Sequence, residues 1–163
     1  MSPTPLAATT RYIAAGQTRI YWVVTIPTIT APTRGQIDAG IDLTGQVATV
    51  VGWHVRRRVR SGQAYGDDFE VQLHGSQFVD DSRLIFYGDR TGGDISATLP
   101  EGTTGHVLML YGGDVAANPM DVWPVRVAAI GRGIELGDDP ARVDVQFTIR
   151  ATPALGVAVP AVA

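Results

Sequence analysis

Cysteine is absent from all 163 positions. No disulfide framework and no thiolate chemistry is available to this chain. Lysine is absent as well, and all 13 basic residues are arginine. That removes the lysine of a Walker-type phosphate loop and the amine of Schiff-base catalysis. The three histidines, His54, His74 and His106, stand far apart. Without cysteine and without a His-x-x-x-His pair, a structural zinc site has no ligand set, and no cofactor is expected. There is no Gly-x-Ser-x-Gly elbow. Nothing argues for an enzyme. No apolar run approaches the roughly 20 residues that a bilayer-spanning helix needs. The opening MSPTPLAATTRY has neither a charged n-region nor an apolar h-region, so no secretory signal is expected. The formal net charge is −3, which argues against a free duplex-DNA binder.

What is present reads as short extended segments punctuated by glycine, proline and aspartate, the pattern of an all-β chain. The segments are 18–26, 46–60, 68–74, 82–88, 105–111, 121–130 and 142–150. The last alternates most cleanly: Val143, Val145, Phe147 and Ile149 face one way, and Arg142, Asp144, Gln146, Thr148 and Arg150 the other. One short helix is expected over 91–99, where Thr91 and Asp94 resemble a capping box and Pro100 stops the run. The stretch 27–45 is rich in glycine and proline and reads mostly as loop. Residues 1–17 and 153–163 read as arms. The expected architecture is a β-sandwich or barrel, in one domain over 1–163, with one short flanking α-helix and a long protruding β-hairpin.

That hairpin is the segment WHVRRRVRSGQAYGDDFEVQL, 53–73. Four arginines (Arg56, Arg57, Arg58 and Arg60) fall within five positions of an acidic protein. With a tip near 61–66, Arg60 lies across from Asp68, Arg58 from Glu70 and Arg56 from Gln72. The other face pairs Val59 with Phe69, Arg57 with Val71 and Val55 with Leu73. One face is then a ladder of opposite charges, each pair contributing on the order of 0.2–1 kcal/mol. Arg57, alone on the apolar face, needs a partner from elsewhere. The hairpin is either a protein–protein contact element or an ordinary solvated sheet edge. The candidate contact residues are Arg56, Arg57, Arg58, Arg60, Tyr65, Asp67, Asp68 and Glu70.

Other clusters have plain structural readings. The Asp-Asp pairs at 67–68, 80–81 and 138–139 sit in turn contexts, where aspartate caps the backbone. Trp22, Trp53 and Trp123 lie on expected strands, where they pack a core or interface or else line a sugar groove.

Four collinear stretches carry a family resemblance: APTRGQIDAGIDLTGQVATVVGW (31–53), DDSRLIFYGDRTGGDISATLPEGTTGHVLMLYGGD (80–114), PMDVWPVRVAAIG (119–131) and ARVDVQFTIRATPALGVAVP (141–160). Together they resemble the major tail protein, or tail tube protein, of long-tailed bacteriophages, in the form seen in phages of actinobacteria. The resemblance implies a virion structural protein, assembled in the host cytoplasm. It would form rings, usually of six subunits, that stack into a hollow tube delivering DNA. It implies as partners the chain itself, a tape measure protein inside the tube, and tail terminator and tail tip proteins, with DNA passing through unread and no membrane involved. It also implies that residues 54–70 are a loop reaching a neighbouring ring. The rival readings are a terminator or adaptor ring and a carbohydrate-binding β-sandwich.

Overall fold

A computed structural model describes residues 9, 11–66, 68–91, 93, 95–134 and 138–162. Ten strands and two short helices are formed among them. The strands are β1 (Arg19–Val23), β2 (Ile41–Asp42), β3 (Val47–Val51), β4 (Val55–Gly62), β5 (Val71–Val79), β6 (Ser82–Tyr87), β7 (Thr104–Leu110), β8 (Pro119–Gly133), β9 (Arg142–Ile149) and β10 (Ala154–Ala158). The helices are α1 (Arg34–Asp38) and α2 (Ile95–Thr98). All strand pairings are antiparallel. One sheet runs β2-β1-β7-β8-β9-β6-β3, with β10 also on β8, and β4 pairs β5 in a sheet of its own. The fold is all-β, as the sequence predicts.

The main sheet curls on itself. Trp22 on β1 and Phe147 on β9 are separated by two intervening strands, yet their ring centroids lie 6.4 Å apart. A flat sheet spaces strands about 4.8 Å apart, which would put β1 and β9 roughly 14 Å from one another. Trp53, just past edge strand β3, likewise reaches Trp123 on β8 and Phe147, both at 5.5 Å. All three tryptophans are buried in this cluster with Leu84, Phe86, Val107, Val125 and Val145. They are core, and their faces are not free to stack on sugar.

The opposite face of the β1–β7–β8 half is covered too. Val23, Leu108, Leu110, Met120 and Val122 pack there against Ile37 of α1 and against Ala154 and Val159. Burial on both faces explains the unbroken apolar run of β7. The expected C-terminal arm is therefore part of the body as far as Val159, whose N–H and carbonyl bond to Asn118 and Ala117. Strand β8 tolerates Pro124 because it changes partners there. Val122 pairs with β10 and Val125 with β9, so Pro124 falls between them, and its carbonyl accepts from Arg150 N–H at 2.9 Å. A missing donor costs nothing at that gap.

Two expectations need correction. The supposed loop 27–45 contains α1, started where Thr33 N–H donates to the Gln36 amide oxygen at 3.0 Å. The helix expected over 91–99 is only four residues long. Thr91 bonds to Asp89 instead of starting it, and Asp94 lies outside the described residues.

Candidate functional site

The expected extended run 46–60 is broken at Gly52–Trp53. Both residues have positive φ, 79° and 65°. Side chains rarely adopt that conformation, so it persists only where surroundings enforce it. Here the enforcement is visible. A Cβ on Gly52 would lie 2.1 Å from the Asp81 carbonyl oxygen. Trp53 N–H donates to Ser82 Oγ at 3.3 Å, and its indole N–H to the Arg83 carbonyl at 3.0 Å. Ser82, 1% exposed, donates in turn to the Asp80 carbonyl at 3.0 Å. The two chain ends leaving the body, 53 and 82, are thus bolted together. Beyond this root the β4–β5 ribbon projects. A cleft of about 500 Å³ opens where β5 parts from β9, lined by Phe78, Val79, Asp80, Gln146, Ile149 and Pro153 among others.

The hairpin exists, but its register is not the expected one. Arg56 lies across from Phe78, Arg57 from Gln77, Arg60 from Leu73 and Gly62 from Val71. The pairs Arg60–Asp68, Arg58–Glu70 and Arg56–Gln72 do not form. Two features cause this. Strand β4 continues through Gly62, so the loop spans 63–70 and takes Asp68 and Glu70 off the strand. Aspartate favours turns over strands. A bulge then follows between Arg57 and Val59, where Gly75 approaches Arg58 so closely that a Cβ would sit 2.7 Å from its carbonyl oxygen.

The opposite-charge ladder is therefore absent. Among the described residues only Arg56 of the four arginines has a carboxylate partner, Asp80 at the root, 2.6 Å away. The Arg58 guanidinium lies over the Phe78 ring, 5.6 Å from its centroid. Arg57 shares its face with Val55, Val59 and Val79. Strand alternation puts Arg56, Arg58 and Arg60 on the face that also carries Val71, Leu73 and Phe78. Leu73 is 56% exposed, and Val59, Tyr65 and Phe69 are exposed as well. Asp67 lies outside the described residues.

A second cluster carries no obvious signal in the sequence. Arg34 on α1 grips Asp114 through two bonds, at 2.6 and 2.8 Å, and Asp38 through its Nε at 2.7 Å. Tyr21 donates to the same Asp114 carboxylate at 3.2 Å. The Arg34 bonds hold Asp114 below the usual carboxylate range. Burial, with the Asp114 charge beside it, pushes the Tyr21 hydroxyl up to about 12. Partners 80 residues apart in sequence are joined here, so spacing alone could not reveal them. The cluster pins α1 to the β7–β8 connection.

The family described as "Phage tail tube protein" matches residues 6–162. No curated protein matches. Among solved structures, a chain in the cryo-EM structure of the anti-feeding prophage (AFP) baseplate, 6-fold symmetrised, shares the fold. Its TM-score is 0.62 at 9% identity, with 91% of this chain and 99% of that one covered.

Proposed function

The chain belongs to the phage tail tube protein family, and on that premise we propose that it assembles into rings of six that stack into the tube of a phage tail, through which DNA is delivered. Its role is structural, as a component of the virion tail. The observation that carries the reading is the β4–β5 hairpin. It is a ribbon joined to the body at the hydrogen-bonded root of Trp53 and Ser82, with apolar and arginine side chains exposed along its length. A two-stranded ribbon is marginal in water unless something covers it. A neighbouring subunit supplies that cover. The tape measure protein occupies the tube during assembly, and terminator and tip proteins close its ends.

The same reading accounts for arginines in a DNA conduit. Each phosphate neutralised adds salt-sensitive affinity, and repeated rings would multiply it until the DNA stuck. Arginines committed to carboxylates and rings of another subunit do not grip phosphate. Arginine suits such seams because its planar fork bonds a carboxylate twice.

Electron microscopy of the purified protein across concentration, with antibody labelling of phage tails, tests the proposal. Hollow tubes, or label along the whole tail, are the expected result. Single rings that never stack, with label confined to one end, would assign the chain to a terminator or adaptor instead. Replacing Arg57 and Arg58 together by glutamate is expected to block assembly while the monomer keeps its melting temperature.

A further inference from the structure

The hairpin has two chemically opposite parts. Its stem carries Arg56, Arg57, Arg58 and Arg60, with Leu73 and Phe78 exposed beside them. Its tip, 63–70, carries Tyr65 and Phe69, both largely exposed, and the acids Asp67, Asp68 and Glu70 by sequence. Among the described residues no ion pair joins these parts within one copy. Asp68 and Glu70 precede Val71, whose partner is Gly62, so neither lies across from a stem arginine.

We propose that the acidic, aromatic tip of one subunit's hairpin docks on the arginine-bearing face of a neighbouring subunit's stem, so that the hairpin is its own receptor. This rests on the tube reading and names the partner of its contact element. Carboxylates of the tip meet the forks of Arg58 and Arg60, which share that face with Leu73 and have no carboxylate partner among the described residues. Tyr65 and Phe69 offer rings to guanidinium groups and to Leu73. Stem against stem and tip against tip are like-charged, which disfavours those two pairings. Where the tip–stem contact is not returned within the same pair of subunits it is heterologous, and where its rotation does not close it propagates from copy to copy, as an open-ended stack requires.

The test exchanges charges between two chains. One carries Arg58→Glu and Arg60→Glu; the other carries Asp68→Arg and Glu70→Arg. Arg56 is kept because it braces the root. Neither chain should associate alone in sedimentation. Their equimolar mixture should, and so should a single chain carrying both sets of changes. Failure of the mixture under conditions where the unaltered protein assembles overturns the tip–stem contact and leaves the tube reading standing.

The absence of native cysteine permits a second readout. Mixing Phe69→Cys with Leu73→Cys under mild oxidation should give the mixed disulfide in excess over either symmetric one. A predominance of symmetric disulfides, or none formed at any concentration, overturns the proposal, whatever the tail-labelling experiment says of the tube. Duplex DNA retained by the stem arginines at physiological salt, with no mixed disulfide, overturns it in favour of a nucleic-acid contact.

Discussion

Asp114 accepts from three donors at once: two N–H groups of Arg34 and the hydroxyl of Tyr21. Its carboxyl titrates below its ordinary value in the fold, so its contribution to stability is complete above the unfolded value of about 3.8 and is lost as pH falls through the folded one. Tyr21 has the opposite sign. Its folded value is raised to about 12, so its contribution is complete below 10 and is lost as pH rises from there. Asp114→Asn should lower stability at neutral pH by about 1.5–3 kcal/mol, the usual range for hydrogen bonds to a charged group. The deficit relative to the unaltered protein should shrink below pH 4, where the native carboxylate is itself being protonated. Thermal melts across pH measure both. In the same variant the Tyr21 titration, followed by ultraviolet absorbance, should fall only part of the way back, because burial, the first of its causes, remains. A second residue-scale case is Gly105. A Cβ there would meet the Trp22 ring at 2.5 Å, and that ring is locked against Phe147 in the core. Gly105→Ala should cost about 1–3 kcal/mol by overpacking and shift the tryptophan fluorescence.

Elements in this chain were legible to the degree that their burial is one-sided. Strand β9 alternates because only one of its faces meets the core, and the sequence shows its range almost to the residue. The hairpin was legible as a hairpin, from alternation on either side of a glycine and aspartate cluster. Its register was not, because one bulged glycine and a longer loop displace every pairing. A two-residue difference in where a strand stops leaves no trace in composition. Helix α1 was hidden because it buries a single residue, Ile37, within a proline and glycine context. Strand β10 was hidden because its mostly exposed residues give no alternation. At this scale the bulge itself is testable. Gly75→Ala places a methyl 2.7 Å from the Arg58 carbonyl oxygen, which is main chain and cannot rotate away. Amide exchange should accelerate across 55–62 and 71–79. It should stay unchanged across β7, β8 and β9, because the root at Trp53 and Ser82 separates ribbon from body.

For the whole molecule, the division of labour falls at that root. On one side a curled sheet buries all three tryptophans, with the Phe147 ring 6.4 Å from that of Trp22 and 5.5 Å from that of Trp53. On the other side the ribbon buries little and leaves its arginines and apolar side chains uncovered. A body that is complete and an appendage that is not have separable stabilities. Replacing residues 63–70 by a two-residue Asn-Gly turn should therefore leave the melting temperature of the dilute monomer almost unchanged. Such a turn suits the twist of antiparallel strands. The same change removes Tyr65, Asp68, Phe69 and Glu70 together and should abolish stacking in micrographs. If the shortened protein stacks as the full chain does, the hairpin tip has no part in assembly. If instead its monomer melts at a markedly lower temperature, the ribbon is part of the folding unit, and the boundary drawn at Trp53 and Ser82 is wrong.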